Sequence, residues 1–132
     1  MKVTADTNIL ARAIIEDDPV QAGLAQDLLQ TATVVALPVT VLVEFCWVAQ
    51  RVYKVGRPET VKVIRDLIGA ANVATDKGAV EAGLAMLEAG GDFADGVIAY
   101  SGKWLGGETF VSFDKEAVRL LAAQGQAAQI PV

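Results

Sequence analysis

Short β-prone runs that alternate with stretches of helical spacing constrain this chain most, because that order leaves few ways to pack. The runs are "MKVTA" (1–5), "TVVAL" (33–37), "NVAT" (72–75), "TFVSF" (109–113) and a terminal "AAQIPV" (127–132). After the first, "NILARAIIE" begins a helix with Thr7 or Asn8 as its N-cap. Asp18 caps a second helix from Pro19 to about Gln30, since proline suits the first helical position. Further helices are predicted from Thr40 to about Tyr53, from Pro58 to Ala70, from an Asp76 cap to about Ala89, from Asp92 to Gly106, and over 115–124. Strands alternating with helices predict an α/β protein, a three-layer α/β/α sandwich around a central, mostly parallel sheet. No repeat, low-complexity linker or shift of composition interrupts the 132 residues, so one domain over 1–132 is expected.

Composition removes several classes of function. Hydrophobic residues make up 53% of the chain and the mean hydropathy is +0.41, which excludes a disordered segment. The most apolar tract is broken by Pro38, Thr40 and Glu44 and falls short of the roughly 20 residues a membrane span needs. "MKVTADTN" has no long apolar core and no small-residue cleavage site, so no signal peptide and a cytoplasmic location are expected. The single cysteine, Cys46, lies among apolar residues and reads as a small buried hydrophobe. With no histidine, the commonest general base and every imidazole metal site are missing, so an enzyme built from this chain must rely largely on carboxylates. The net charge of −5 argues mildly against nucleic acid, unless local potential differs from the total.

Ligands of open parallel sheets bind beyond the carboxyl ends of the strands. Asp6 ends the first run, Asp114 directly follows "TFVSF", Glu44 opens the helix after "TVVAL", and Asp95 lies in the first turn of the helix leading into "TFVSF". Helix capping accounts for Asp6, Asp92, Asp95 or Asp114 taken singly. It accounts poorly for Glu44, the one charge in "TVLVEFCWVA" (40–49), which is expected to be paired or bound rather than left among apolar neighbours. Four carboxylates on one rim repel one another unless a cation compensates. A donor set of oxygens alone selects Mg²⁺ or Mn²⁺, and such ions in a carboxylate cage support phosphoryl chemistry. Glu44 is therefore expected to be a metal ligand presented from an apolar wall.

The segments "ADTNIL" (5–10), "VTVLVEFCWV" (39–48), "DFADGVIAYSG" (92–102) and "FVSFDKE" (110–116) together resemble a PIN-domain protein of the VapC toxin type. Their order and spacing span nearly the whole chain. The resemblance implies a metal-dependent endoribonuclease in which Asp6, Glu44, Asp95 and Asp114 bind one or two Mg²⁺ or Mn²⁺ ions. It implies that Asn8 and Ser112 orient carboxylates or water, and that RNA is cut to leave a 5′-phosphate and a 3′-hydroxyl. It also implies a homodimer inhibited by a cognate small antitoxin protein. Asp92, one turn before Asp95, adds a water-mediated contact or serves as an N-cap. Gly96 departs from the family's usual residue and predicts a locally less rigid helix.

Substrate contacts are expected from Arg12, Arg51 and Lys54. Arg12 is placed either on a phosphate or in an ion pair with a site carboxylate. Arg51, Lys54, Arg57, Lys62 and Arg65 fall within fifteen residues, which suits an RNA backbone or an ordinary solvated helix face. Trp47 and Tyr53 are placed to stack bases or meet a partner, with core packing or a dimer interface the preferred reading for Trp47 because of its apolar flanks. Two rivals remain. An aspartyl-nucleophile phosphatase of the haloacid dehalogenase type needs a second aspartate where Asn8 stands. A catalytically silent PIN-like module that binds RNA or protein would tolerate loss of an acid, and all four are present.

Overall fold

Three of the β-prone runs form parallel strands in the computed structural model, which describes residues 1–132. They are β1 (Lys2–Thr4), β2 (Val34–Ala36) and β3 (Val73–Ala74), in the order β1-β2-β3, so "NVAT" supplies the expected edge strand. Lys2 pairs with Val34 and Thr4 with Ala36, and Val35 and Ala36 pair in turn with Val73 and Ala74. Parallel strands cannot be joined by a tight turn, so each connection carries helices. Between β1 and β2 run α1 (Thr7–Ile15) and α2 (Pro19–Thr31), and between β2 and β3 run α3 (Val39–Arg51) and α4 (Arg57–Gly69). These elements make up the first of two compact units, Met1–Asp76.

Local chemistry sets the helix starts. Asp18 caps α2 as expected, its Oδ1 accepting from the Gln21 N–H at 3.1 Å. The cap of α1 is Asp6 rather than Thr7 or Asn8; its Oδ1 accepts from the Thr7 N–H at 2.7 Å, and Thr7 is buried as the first helical residue. In α3 the buried residues are Leu42, Phe45, Cys46 and Ala49, the spacing of one helical face. Asn72 staples the far end of the unit, its Nδ2 donating to Leu29 O at 2.9 Å and Ala32 O at 3.0 Å.

The second unit, Lys77–Val132, holds α5 (Lys77–Glu88), α6 (Phe93–Trp104), β4 (Phe110–Val111), α7 (Lys115–Ala123) and β5 (Ala128–Gln129). β4 and β5 pair in parallel, Phe110 with Ala128 and Val111 with Gln129. Met86, Ala99, Leu120 and Leu121 form its core, with Phe110 and Ala128 packed against them. No helix of the chain is long and apolar enough to cross a membrane.

Glycine sets how closely α5 and α6 approach. A Cβ on Gly96 would fall on the carbonyl oxygen of Ala82 and crowd the Gly83 Cα at 2.9 Å, and a Cβ on Gly83 would meet the Phe93 ring at 2.6 Å. Gly96 is thus a buried contact point between two helix backbones, a role that its helix propensity alone does not show. Replacing it with alanine gains about 1 kcal/mol of helix propensity but forces two backbones apart. Gly96→Ala is therefore expected to lower unfolding stability by about 1–3 kcal/mol, the range for overpacking, in urea titration. A neutral or stabilised variant would show that the helices have room there.

Candidate active site

The acids singled out in the sequence fall two and two, Asp6 and Glu44 in the first unit and Asp95 and Asp114 in the second. In the first unit, the parallel register sets the carboxyl ends of β1 and β2 side by side. Asp6 leaves that edge two residues after β1, and α3 leaves it three residues after β2. Glu44 stands about one and a half turns into α3. It is exposed, which corrects the apolar-wall expectation: Thr40, Glu44, Trp47 and Arg51 line the outer face of α3, opposite Leu42, Phe45, Cys46 and Ala49. Trp47 is likewise outside the core, 58% exposed. Residues adjacent in sequence point in different directions on a helix, so apolar neighbours did not mean an apolar surrounding.

In the second unit the loop after β4 is fixed by its own polar groups. Ser112 donates its backbone N–H to Gln129 O at 3.2 Å, and its Oγ accepts from the Asp114 N–H at 3.0 Å. Asp114 caps α7, its Oδ1 accepting from the N–H groups of Glu116 and Ala117, both at 3.0 Å. Both bonds fall on one oxygen, which leaves Oδ2 free to meet a ligand. Asp92 occupies the N-cap position of α6 without a side-chain capping bond. Asp95, in the first turn, is half-buried. Its burial first, and then the negative charges of Asp92 and Asp114, push its carboxyl above the ordinary carboxylate range. Asp95 therefore senses both of the other acids of this unit.

The donor chemistry fits a hard divalent ion. Carboxylate oxygens are the only acidic ligands on offer, and burial pushes the Cys46 thiol up to about 12, so it supplies no thiolate. In neither unit are three acids gathered into a preformed metal cage.

The residues proposed to touch substrate are distributed differently from expectation. Asn8 and Arg12 line a groove of about 520 Å³ between α1 and α2, together with Ile9, Gln21, Leu24 and Leu28. Arg12 pairs with Asp17, Nη1 to Oδ1 at 2.9 Å, and not with one of the four acids. The hydroxyl of Tyr53 donates to the other Asp17 oxygen at 3.0 Å. This hydrogen bond, and Arg12 after it, hold the Asp17 carboxyl below its usual range. Asp17 is not among the residues the sequence motifs single out; its only signal there is the acidic loop "EDDP" (16–19) that follows α1. Arg51 and Lys54 are exposed, while Lys62 pairs with Asp66 at 2.9 Å along α4, the bond of a solvated helix face.

The sequence profile of the PIN domain family matches residues 3–122, across both units, and the chain belongs to that family. PIN domains are commonly nucleases, have an α/β fold with a parallel sheet, and typically bind divalent metals. A search of curated proteins finds no match.

A carboxyl with a raised folded-state pKa binds its proton more tightly in the folded chain, so stability is lost as pH rises through that value. Without divalent metal, Asp95→Asn is expected to melt above the wild type at pH 7, the gap closing as pH falls through the carboxylate range. Melting curves in EDTA across pH 3–8 check this, and a variant that melts lower at pH 7 would contradict it.

Proposed function

We propose that this chain is a Mg²⁺- or Mn²⁺-dependent endoribonuclease, the toxin of a toxin–antitoxin pair, with Asp6, Glu44, Asp95 and Asp114 as its metal ligands. The observation that carries the reading is Asp95, half-buried at the start of α6 and raised in proton affinity first by burial and then by the charges of Asp92 and Asp114, in a chain matched to a family of nucleases. A carboxylate partly withdrawn from water and acted on by other negative charges suits a site that takes a cation. When bound, a divalent ion supplies Lewis acidity at the scissile phosphate and lowers the pKa of a water.

The protein groups do the remaining work. The capping bonds of Asp6 and Asp114 fix the carboxylates on helix N-termini, so little ordering is needed when a ligand arrives. Ser112 holds the loop that presents Asp114, Asn8 orients water or a carboxylate beside Asp6, and Asp92 accepts from water. Arg12, Arg51 and Lys54 contact phosphates of the RNA backbone, which offsets locally the net charge of −5. We place the protein in the cytoplasm as a homodimer of single-domain protomers restrained by a small antitoxin protein, as the sequence resemblance implies.

A second reading is favoured by the lack of a preformed cage of three acids in either unit. Under it the chain is a catalytically silent PIN-like module that binds RNA or protein. The two separate in one experiment on the chain purified free of partners and incubated with total RNA. The ribonuclease yields discrete fragments with Mg²⁺ or Mn²⁺, none with EDTA, and at least about 10–100-fold slower cleavage in Asp6→Asn and Glu44→Gln, since ligands matter no less than their outer-shell partners. No metal-dependent cleavage by folded wild type supports the silent module.

A further inference from the structure

Four aromatic side chains are exposed, Trp47 at 58%, Tyr53 at 37%, Trp104 at 78% and Phe113 at 80%. Burying a phenylalanine is normally favourable by about 2 kcal/mol, so one held in water calls for a cause. Tyr53 is occupied by Asp17, and Trp104 ends α6, at the opposite end from Asp95. Phe113 lies between Ser112 and Asp114, and both are fixed: Ser112 is tied to β5 by its N–H, the Ser112 hydroxyl bonds the Asp114 N–H, and Asp114 caps α7. The ring is presented by a locked loop rather than left on a loose one.

Electrostatics alone serve this chain poorly on RNA, because its net charge is −5 and the four residues proposed as metal ligands are themselves acids. Affinity must come in good part from contacts that ignore charge, and stacking on an aromatic face is the main one available for single-stranded nucleic acid. We infer that Phe113 is a base-stacking platform that holds an unpaired base next to the phosphodiester presented to Asp114. This rests on the ribonuclease reading and adds to it the residue that positions the strand. Because every base has a π-face, the platform positions the strand without reading its sequence.

The test measures cleavage of total RNA and binding of a fluorescent single-stranded RNA 20-mer by wild type, Phe113→Ala, Phe113→Leu and Phe113→Tyr. Dichroism shows that each is folded, and light scattering gives its oligomeric state. Phe113→Ala is expected to weaken binding and raise KM by about 5- to 100-fold with kcat little changed. Phe113→Tyr should restore wild-type behaviour, while Phe113→Leu, apolar but without a π-face, should not. Unchanged KM in Phe113→Ala, or full function in Phe113→Leu, overturns the inference, and so does a change of oligomeric state without a change in RNA binding, which makes the ring a protein contact. If wild type itself fails to cleave with Mg²⁺ or Mn²⁺, the ribonuclease reading has failed, and Phe113 with it.

Discussion

Parallel pairing is the constraint from which the rest of the molecule follows. Two neighbouring strands that run the same way cannot be closed by a hairpin, so the chain must cross over between them, here through α1 and α2 and then through α3 and α4. Every crossover starts at a carboxyl end, which gathers helix N-termini at one edge of the sheet. Asp6 enters α1 at that edge, and α3, which carries Glu44, sets out from it. Had β1 and β2 paired antiparallel, these two segments would leave from opposite edges.

Helix N-termini also make the acids tolerable. Free N–H groups and the positive end of the helix dipole favour a carboxylate there, which is why Asp6 and Asp114 settle as caps. The favour is limited. In the second unit a third acid, Asp95, is partly withdrawn from water beside Asp92 and Asp114, and the energy of that arrangement appears in its raised proton affinity. Capping and ligation are thus compatible uses of one residue: Asp114 spends one oxygen on α7 and keeps the other.

The sequence makes the strands, the helix order and the second cap legible, because "TVVAL", "TFVSF" and the Asp18–Pro19 pair are local signals with local causes. It also makes the family legible, through four blocks in the right order. What it hides is directional. Glu44 looks buried when its neighbours are read in a line, yet the helix turns Leu42, Phe45 and Cys46 inward and carries Glu44 and Trp47 outward. The partner of Arg12 depends on a loop that brings Asp17 back, and Tyr53 reaches the same carboxylate from 36 residues away. Gly96 reads as a propensity defect until its contact with the Ala82 carbonyl is known, because close approach of two backbones leaves no trace in either segment alone.

The central claim is that Asp6, Glu44, Asp95 and Asp114 are each ligands of divalent metal. Calorimetric titration of Mn²⁺ into the purified, metal-free chain tests it most directly, with Asp6→Asn, Glu44→Gln, Asp95→Asn and Asp114→Asn titrated alongside. The account predicts saturable binding to wild type and a marked loss of affinity in each of the four variants, whichever unit carries the change. Wild-type affinity persisting in Asp6→Asn or Glu44→Gln, with loss confined to Asp95→Asn and Asp114→Asn, would contradict it.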